Sequence, residues 1–241
     1  MSLTESKLSS KARDFLSESP LKSFIGGEWV ASANGQTMKV LDPGTGEPIT
    51  EFYVMQPSDV DRAVRDADES FRSSGWATMS PEDRGGYLYR LAELIERDAD
   101  TLCDIETLDV GFTRTTATLF IWGGAALFRY YADIAKNINY DTPLSLAGHE
   151  GREILKPYGV CAVINPWNAP FYSTILSFAP ALAAGNTIVL KPASFTPLST
   201  IYLARLVAEA GIPAGVINVL AVPQLRPARP WLIIQELNAS P

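Results

Sequence analysis

Two short loops hold the residues best placed to do chemistry. In Asn165-Pro166-Trp167-Asn168-Ala169-Pro170, prolines fix the backbone on both sides of Trp167-Asn168. A side-chain amide held rigidly at a strand end is a good donor to a developing oxyanion. The same asparagine could instead close an Asx turn that caps the next helix. The second loop, Lys191-Pro192-Ala193-Ser194, puts an ammonium and a hydroxyl at a neighbouring strand end. Those groups suit ribose hydroxyls or a phosphate; a plain surface lysine is the competing reading. Other chemistry is sparse. One histidine, His149, argues against a multi-histidine metal site and against a Ser-His-Asp triad, and no metal is expected. His149-Glu150 could do acid/base work but reads more simply as a solvated loop pair. Asp42-Pro43-Gly44-Thr45-Gly46 could cradle a phosphate, but no helix start follows it, so it reads as a β-turn. Neither G-x-G-x-x-G nor P-loop spacing occurs.

The elements around these loops follow from apolar spacing. Residues 1–18 read as a loose polar arm. Phe24 to Val30 reads as a tight hairpin turning at Gly26-Gly27, and Met38–Leu41 and Ile49–Phe52 flank the second turn. Ser58 and Asp61 have capping-box spacing before a helix whose face carries Val60, Ala63, Val64, Ala67 and Phe71. Ser80-Pro81 starts another helix with the stripe Leu88, Leu91, Ala92 and Ile95, and Asp100 to Leu108 continues helical until Gly111. Residues 114–137 form a long apolar helix, expected to turn Leu119, Trp122, Ala126 and Tyr130 inward. Residues 139–157 are polar and read as an extended arm or hairpin.

From 158 the pattern is strand, helix, strand, helix, strand. The strands are Gly159–Ile164, Thr187–Leu190 and Val216–Leu220; the helices are Phe171–Ala184 and Pro197–Ala210. That alternation predicts an α/β fold with a parallel sheet and crossover helices. Ligands on such sheets sit beyond the carboxyl ends of the strands, where both loops fall.

The whole-chain numbers set limits. The 241 residues are 46% hydrophobic and 20% charged, with net charge −7, so the chain is globular and not a general nucleic-acid binder. Cys103 and Cys161 are too few for a disulfide framework and fit a reducing, cytoplasmic compartment. No apolar run is long enough to span a membrane.

Taken together, these segments resemble the aldehyde dehydrogenase superfamily. The likeness rests on Pro157-Tyr158-Gly159-Val160, Ile164 through Pro170, Ala179 through Thr187, Leu190-Lys191-Pro192-Ala193 and Ala210 through Asn218. Upstream, Ile25-Gly26-Gly27-Glu28-Trp29 and Glu106-Thr107-Leu108-Asp109 also match, so the likeness covers about residues 22–221. It implies a Rossmann-type coenzyme-binding domain and oxidation of an aldehyde to a carboxylic acid with NAD or NADP. On that likeness Asn168 would be the oxyanion donor and Lys191 would hold the adenosine ribose. Ile164, Pro166 and Trp167 would wall the dinucleotide site. Many relatives carry glutamate three residues after the lysine; Ser194 stands there, and its neutral hydroxyl would tolerate NADP. The resemblance implies a partial coenzyme-binding domain over 19–138 and 158–221, and an oligomerisation arm over 139–157. The complete enzyme is then expected to be a cytoplasmic homo-oligomer acting on a small-molecule aldehyde.

The family's nucleophilic cysteine and general-base glutamate fall in a later part of a longer chain, and neither Cys103 nor Cys161 matches the nucleophile. The chain therefore reads as the front half of such an enzyme, inactive alone. The alternative is a non-catalytic fragment with weak nucleotide binding or self-association. From about Val222 the likeness stops and proline and arginine crowd the sequence. Residues 222–241 are expected to be an out-of-frame tail, disordered or loosely docked.

Overall fold

Gly26 and Gly27 turn the chain with φ of 61° and 85°, closing an antiparallel hairpin between β1 (Ser23–Ile25) and β2 (Glu28–Val30). In the computed structural model, which describes residues 8–223, this hairpin joins a larger sheet. A separate hairpin pairs β3 (Thr37–Leu41) with β4 (Pro48–Tyr53) across the Asp42–Gly46 turn. Asp42 Oδ1 accepts the Gly44 amide at 2.7 Å there, so this is an Asx-type turn.

Four helices follow. They are α2 (Pro57–Ser73), α3 (Pro81–Arg97), α4 (Ala99–Val110) and α5 (Arg114–Asn137). The arm over 139–157 forms an antiparallel hairpin of β5 (Asp141–Leu146) and β6 (His149–Ile154), with Arg152 forked onto Asp141. His149 and Glu150 are exposed on it.

The remaining elements alternate as the apolar runs predict: β7 (Val160–Ile164), α6 (Pro170–Ala183), β8 (Thr187–Lys191), α7 (Leu198–Glu209) and β9 (Ile217–Val219). Strands β7, β8 and β9 are parallel, and β1 adds antiparallel to β9, giving the order β2-β1-β9-β8-β7. The sheet is thus mixed where a parallel one was expected, because the N-terminal hairpin takes up the β9 edge. Every residue of β8 is buried. Ile188 and Leu190 enter the main core with α3 to α7, while Val189 enters a second core with Val60, Ala63, Val64 and Ala67 of α2. Both faces of the central strand are therefore covered within these residues. Gly215, at φ 79°, lets the turn before β9 approach α2; a Cβ there would sit 2.7 Å from the Asp66 carbonyl.

Three expectations are corrected. First, residues 8–18 of the expected loose arm are ordered. Ser9 caps helix α1 (Ser10–Ser17), Ala12 and Phe15 are fully buried, and the Phe15 ring meets Tyr202 edge-on at 5.2 Å. Two fully buried residues, with Leu16 packed beside them, suffice because the helix docks onto an existing core. Second, α5 turns its other face inward. Ala117, Ile121, Gly124, Ala125, Phe128, Ala132 and Ala135 are buried, whereas Leu119, Trp122, Ala126 and Tyr130 are exposed. Small residues win that face because α6 crosses very close: a Cβ on Gly124 would lie 2.6 Å from Ile175 Cδ1. Third, the capping box of α2 is Gln56 with Asp59, two residues earlier than Ser58 with Asp61, because Pro57 takes the first helical position.

At the other end, Val222 is buried in the second core and its carbonyl accepts the Ser194 hydroxyl at 3.1 Å, so the expected loose tail does not begin there. The rest of that expectation, from residue 224, lies outside the described residues.

Candidate functional site

The carboxyl ends of β7 and β8 lie side by side, with Ile164 paired to Lys191 and the Asn165 amide donating to the Lys191 carbonyl at 3.0 Å. The two loops that leave these ends enclose a cleft of about 470 Å³. Its walls are Ile164, Asn165, Pro166, Trp167, Lys191, Ala193, Ser194 and Phe195. Five of the residues expected to bind cofactor therefore share one cleft: Ile164, Pro166, Trp167, Lys191 and Ser194. Trp167 and Phe195 present broad apolar faces, 63% and 66% exposed.

Polar groups beneath the cleft fix its shape. Buried Asn165 donates through Nδ2 to Thr174 Oγ1, which donates to the Pro170 carbonyl at 2.7 Å and lies 3.2 Å from Thr200 Oγ1. This chain ties the end of β7 to α6 and α7. Thr196 Oγ1 donates to the Trp167 carbonyl at 2.9 Å, joining one loop to the other. The Lys191 ammonium donates to the Pro192 carbonyl at 3.1 Å, and burial pulls its pKa below the usual lysine value.

Asn168 follows Trp167 in the loop and is exposed, but it does not line the cleft. Nor does it cap α6, whose N-cap is Ala169 without a side-chain bond. The Ser194 hydroxyl faces the Val222 carbonyl, so a ligand would meet it only after it turns. Asn165, Thr174, Thr196 and Phe195 were not singled out from sequence. A strand-end asparagine beside Asn168 was the available signal for the first; the others are placed by contacts distant in the chain.

Both cysteines lie elsewhere. Cys103 is buried in α4, Cys161 is half-buried in β7, and burial pushes both thiols up, away from thiolate. Among the described residues no cluster of three or more His, Cys, Asp or Glu is placed to hold a metal ion, and no helix is long and apolar enough to cross a membrane.

The chain is similar to known proteins in sequence and in fold. The aldehyde dehydrogenase family model matches residues 29–226. An aldehyde dehydrogenase from Aspergillus niger is 42% identical over 210 residues, covering 85% of this chain and 41% of that protein. Aldehyde dehydrogenase [NAD(P)+] 2 of Saccharomyces cerevisiae is 41% identical, with 83% and 40% covered. The solved structure of betaine aldehyde dehydrogenase from Staphylococcus aureus in complex with NAD+ superposes with a TM-score of 0.84 at 32% identity, over 88% of this chain and 42% of that one. The chain spans about two fifths of the length of these relatives. With the family model matched over most of its length, and the parallel strands and their terminal loops in place, the chain belongs to the aldehyde dehydrogenase family.

Proposed function

We propose that this chain carries the adenosine-binding part of an NAD(P)-dependent aldehyde dehydrogenase. The observation that carries the reading is the cleft itself, which gathers Ile164, Pro166, Trp167, Lys191 and Ser194 at the ends of two parallel strands. Its donor set fits the adenosine end of the cofactor. The exposed flat faces of Trp167 and Phe195 suit a purine, and the Lys191 ammonium, freed from Pro192, suits ribose hydroxyls. NAD or NADP, when bound, accepts hydride from the aldehyde carbon. The part of the chain's own residues is to seat the nucleotide and, through the Asn168 amide, to offer a donor toward an aldehyde oxygen.

Nucleotide binding by this chain is expected to be weak and dominated by the adenosine end. Calorimetry with NAD, NADP and AMP tests it: all three should bind with similar affinity, and Lys191→Ala should weaken all three. NAD bound far more tightly than AMP would overturn the reading.

The second reading, a chain that binds but does not turn over, is favoured by the two cysteines. Neither lines the cleft and neither is poised as a thiolate. Without a thiolate no thiohemiacetal forms, and no carbon is prepared to lose hydride. Pure protein with propanal or benzaldehyde should therefore produce no NADH. Steady production that Asn168→Ala abolishes would refute this.

The hairpin over 139–157 is read as an assembly arm of a homo-oligomer, and the cytoplasm as its compartment. Two cysteines without a disulfide partner and exposed Leu144, Ile154 and Leu155 on and beside the hairpin support those readings.

A further inference from the structure

Helices α6 and α7 start immediately after the two cleft loops, and neither supplies its own cap. Ala169 and Pro197 stand at the two N-cap positions, and neither makes a side-chain cap bond. The first amides of both helices therefore need acceptors from elsewhere. A third helix provides them. Glu106 and Asp109, three residues apart on α4, share one face, and both are buried. Asp109 Oδ2 accepts the Leu198 amide, the first of α7, at 2.9 Å. Glu106 lies against the Ser199 hydroxyl and the Phe171 amide, the first free amide of α6 after Pro170. Only Asp109 closes a well-formed bond; Asp109 Oδ1, both Glu106 oxygens and the Ser199 hydroxyl are buried without one among the described residues, so Glu106 approaches the start of α6 without completing the contact. Burial pushes both carboxyls up; the Ser199 hydroxyl and then the Phe171 amide oppose it at Glu106, and the Leu198 amide opposes it at Asp109.

We propose that Glu106 and Asp109 are positioning residues, caps lent by α4 that set the N-termini of α6 and α7 and so hold loops 165–169 and 192–197 in the shape of the cleft. Among the described residues, two buried acids lie at the starts of the two helices that follow the cleft loops. The consequence for ligand binding rests on the nucleotide reading of that cleft; the positioning itself does not.

Amide hydrogen exchange on the full chain tests the positioning. Asp109→Ala should raise exchange at least tenfold at 198–201 and across loop 192–197, leaving α3 and the start of α5 unchanged. Asp109→Asn keeps an acceptor for the Leu198 amide and should return exchange to within about twofold of the parent. Glu106→Ala should do the same at 165–174, with Glu106→Gln as its conservative partner. AMP affinity, measured on the same proteins, should fall at least fivefold in the alanine variants and recover in the amide variants.

Exchange that rises evenly along the chain, or cleft loops that stay protected in the alanine variants, would overturn the proposal. So would an Asp109→Asn protein no better than Asp109→Ala. If Asp109→Ala does not fold, the Glu106 pair and Asp109→Asn decide it by the same criteria. If the parent binds no nucleotide, the nucleotide reading fails and exchange still decides the positioning.

Discussion

Asn186 Oδ1 accepts two consecutive backbone amides, that of Tyr158 at 2.7 Å and that of Gly159 at 3.1 Å. Its Nδ2 donates to the Ala181 carbonyl at 3.0 Å, and its own carbonyl accepts the Trp76 indole at 3.1 Å. One buried residue thus joins the end of α6 and the start of β7 through its side chain, and the α2–α3 connection through its backbone carbonyl. Asn186→Ala strands two backbone donors, a loss of roughly 3 kcal/mol. Urea unfolding should show it as a lowered midpoint with an unchanged slope. Asn186→Asp keeps the acceptor but loses the donor, and should fall between.

Glu106 should give the chain a distinctive pH profile. Burial raises its pKa from 4.5 to about 7, against the pull of Ser199 and the Phe171 amide. Between those values the native state holds more protons than the unfolded state, so stability falls as pH rises. The penalty is absent below about 4.5 and complete above about 7, and amounts to roughly 3 kcal/mol. Asp109, also raised, adds with the same sign. Asp98 acts in reverse but lower: burial works to raise it, and bonds from Arg97, Lys11 and Tyr202 carry it down to about 2. Its contribution is complete above about 4 and is lost only as pH falls toward 2. Denaturation from pH 5 to 8 should show the decline, and Glu106→Gln should remove its own share of it, leaving the part that Asp109 contributes.

Cofactor choice should respond to Ser194. It stands three residues after Lys191 on the cleft wall, and it is neutral. Ser194→Glu would set a carboxylate against a 2′-phosphate. NADP affinity should fall at least tenfold, about 1.4 kcal/mol, with NAD changed less than twofold. Ser194→Ala serves as the control for the lost bond to Val222. Equal losses for both cofactors in Ser194→Glu would refute the charge argument.

The bond from Thr196 to the Trp167 carbonyl should matter more for binding than for folding. Thr196→Val keeps the volume and removes the donor, with a stability loss near 1 kcal/mol. AMP affinity should fall several-fold as the Trp167 loop loosens, read by titration calorimetry.

The parallel strands and both crossover helices were legible because each is a short apolar run between Gly or Pro signals, as at Gly159, Gly185, Gly211 and Gly215. The loops of the cleft were legible for the same reason: strand ends can be counted. The inward face of α5 was not. Its sequence is apolar on several sides, and the deciding factor is the close approach of α6 over Gly124, which no periodicity reports. Helix α1 carries too few apolar residues to announce itself and is held by Asp104, Tyr202 and Arg205 from distant segments. Asn165, Thr174 and the Glu106–Asp109 pair are ordinary residues by type. Their importance lies in partners 9 to 89 positions away, as with Asn165 and Thr174 or Asp109 and Leu198.

The seam between β1 and β9 orders events during synthesis. Phe24 pairs with Val219, and the Gly26 amide donates to Asn218 Oδ1 at 2.8 Å across 192 residues. Translation proceeds at roughly 5–20 residues per second, so on the order of ten to forty seconds separate the two partners' emergence. For that interval the N-terminal hairpin exists without its sheet, and helices α2 to α7 leave the ribosome before the sheet can close on it.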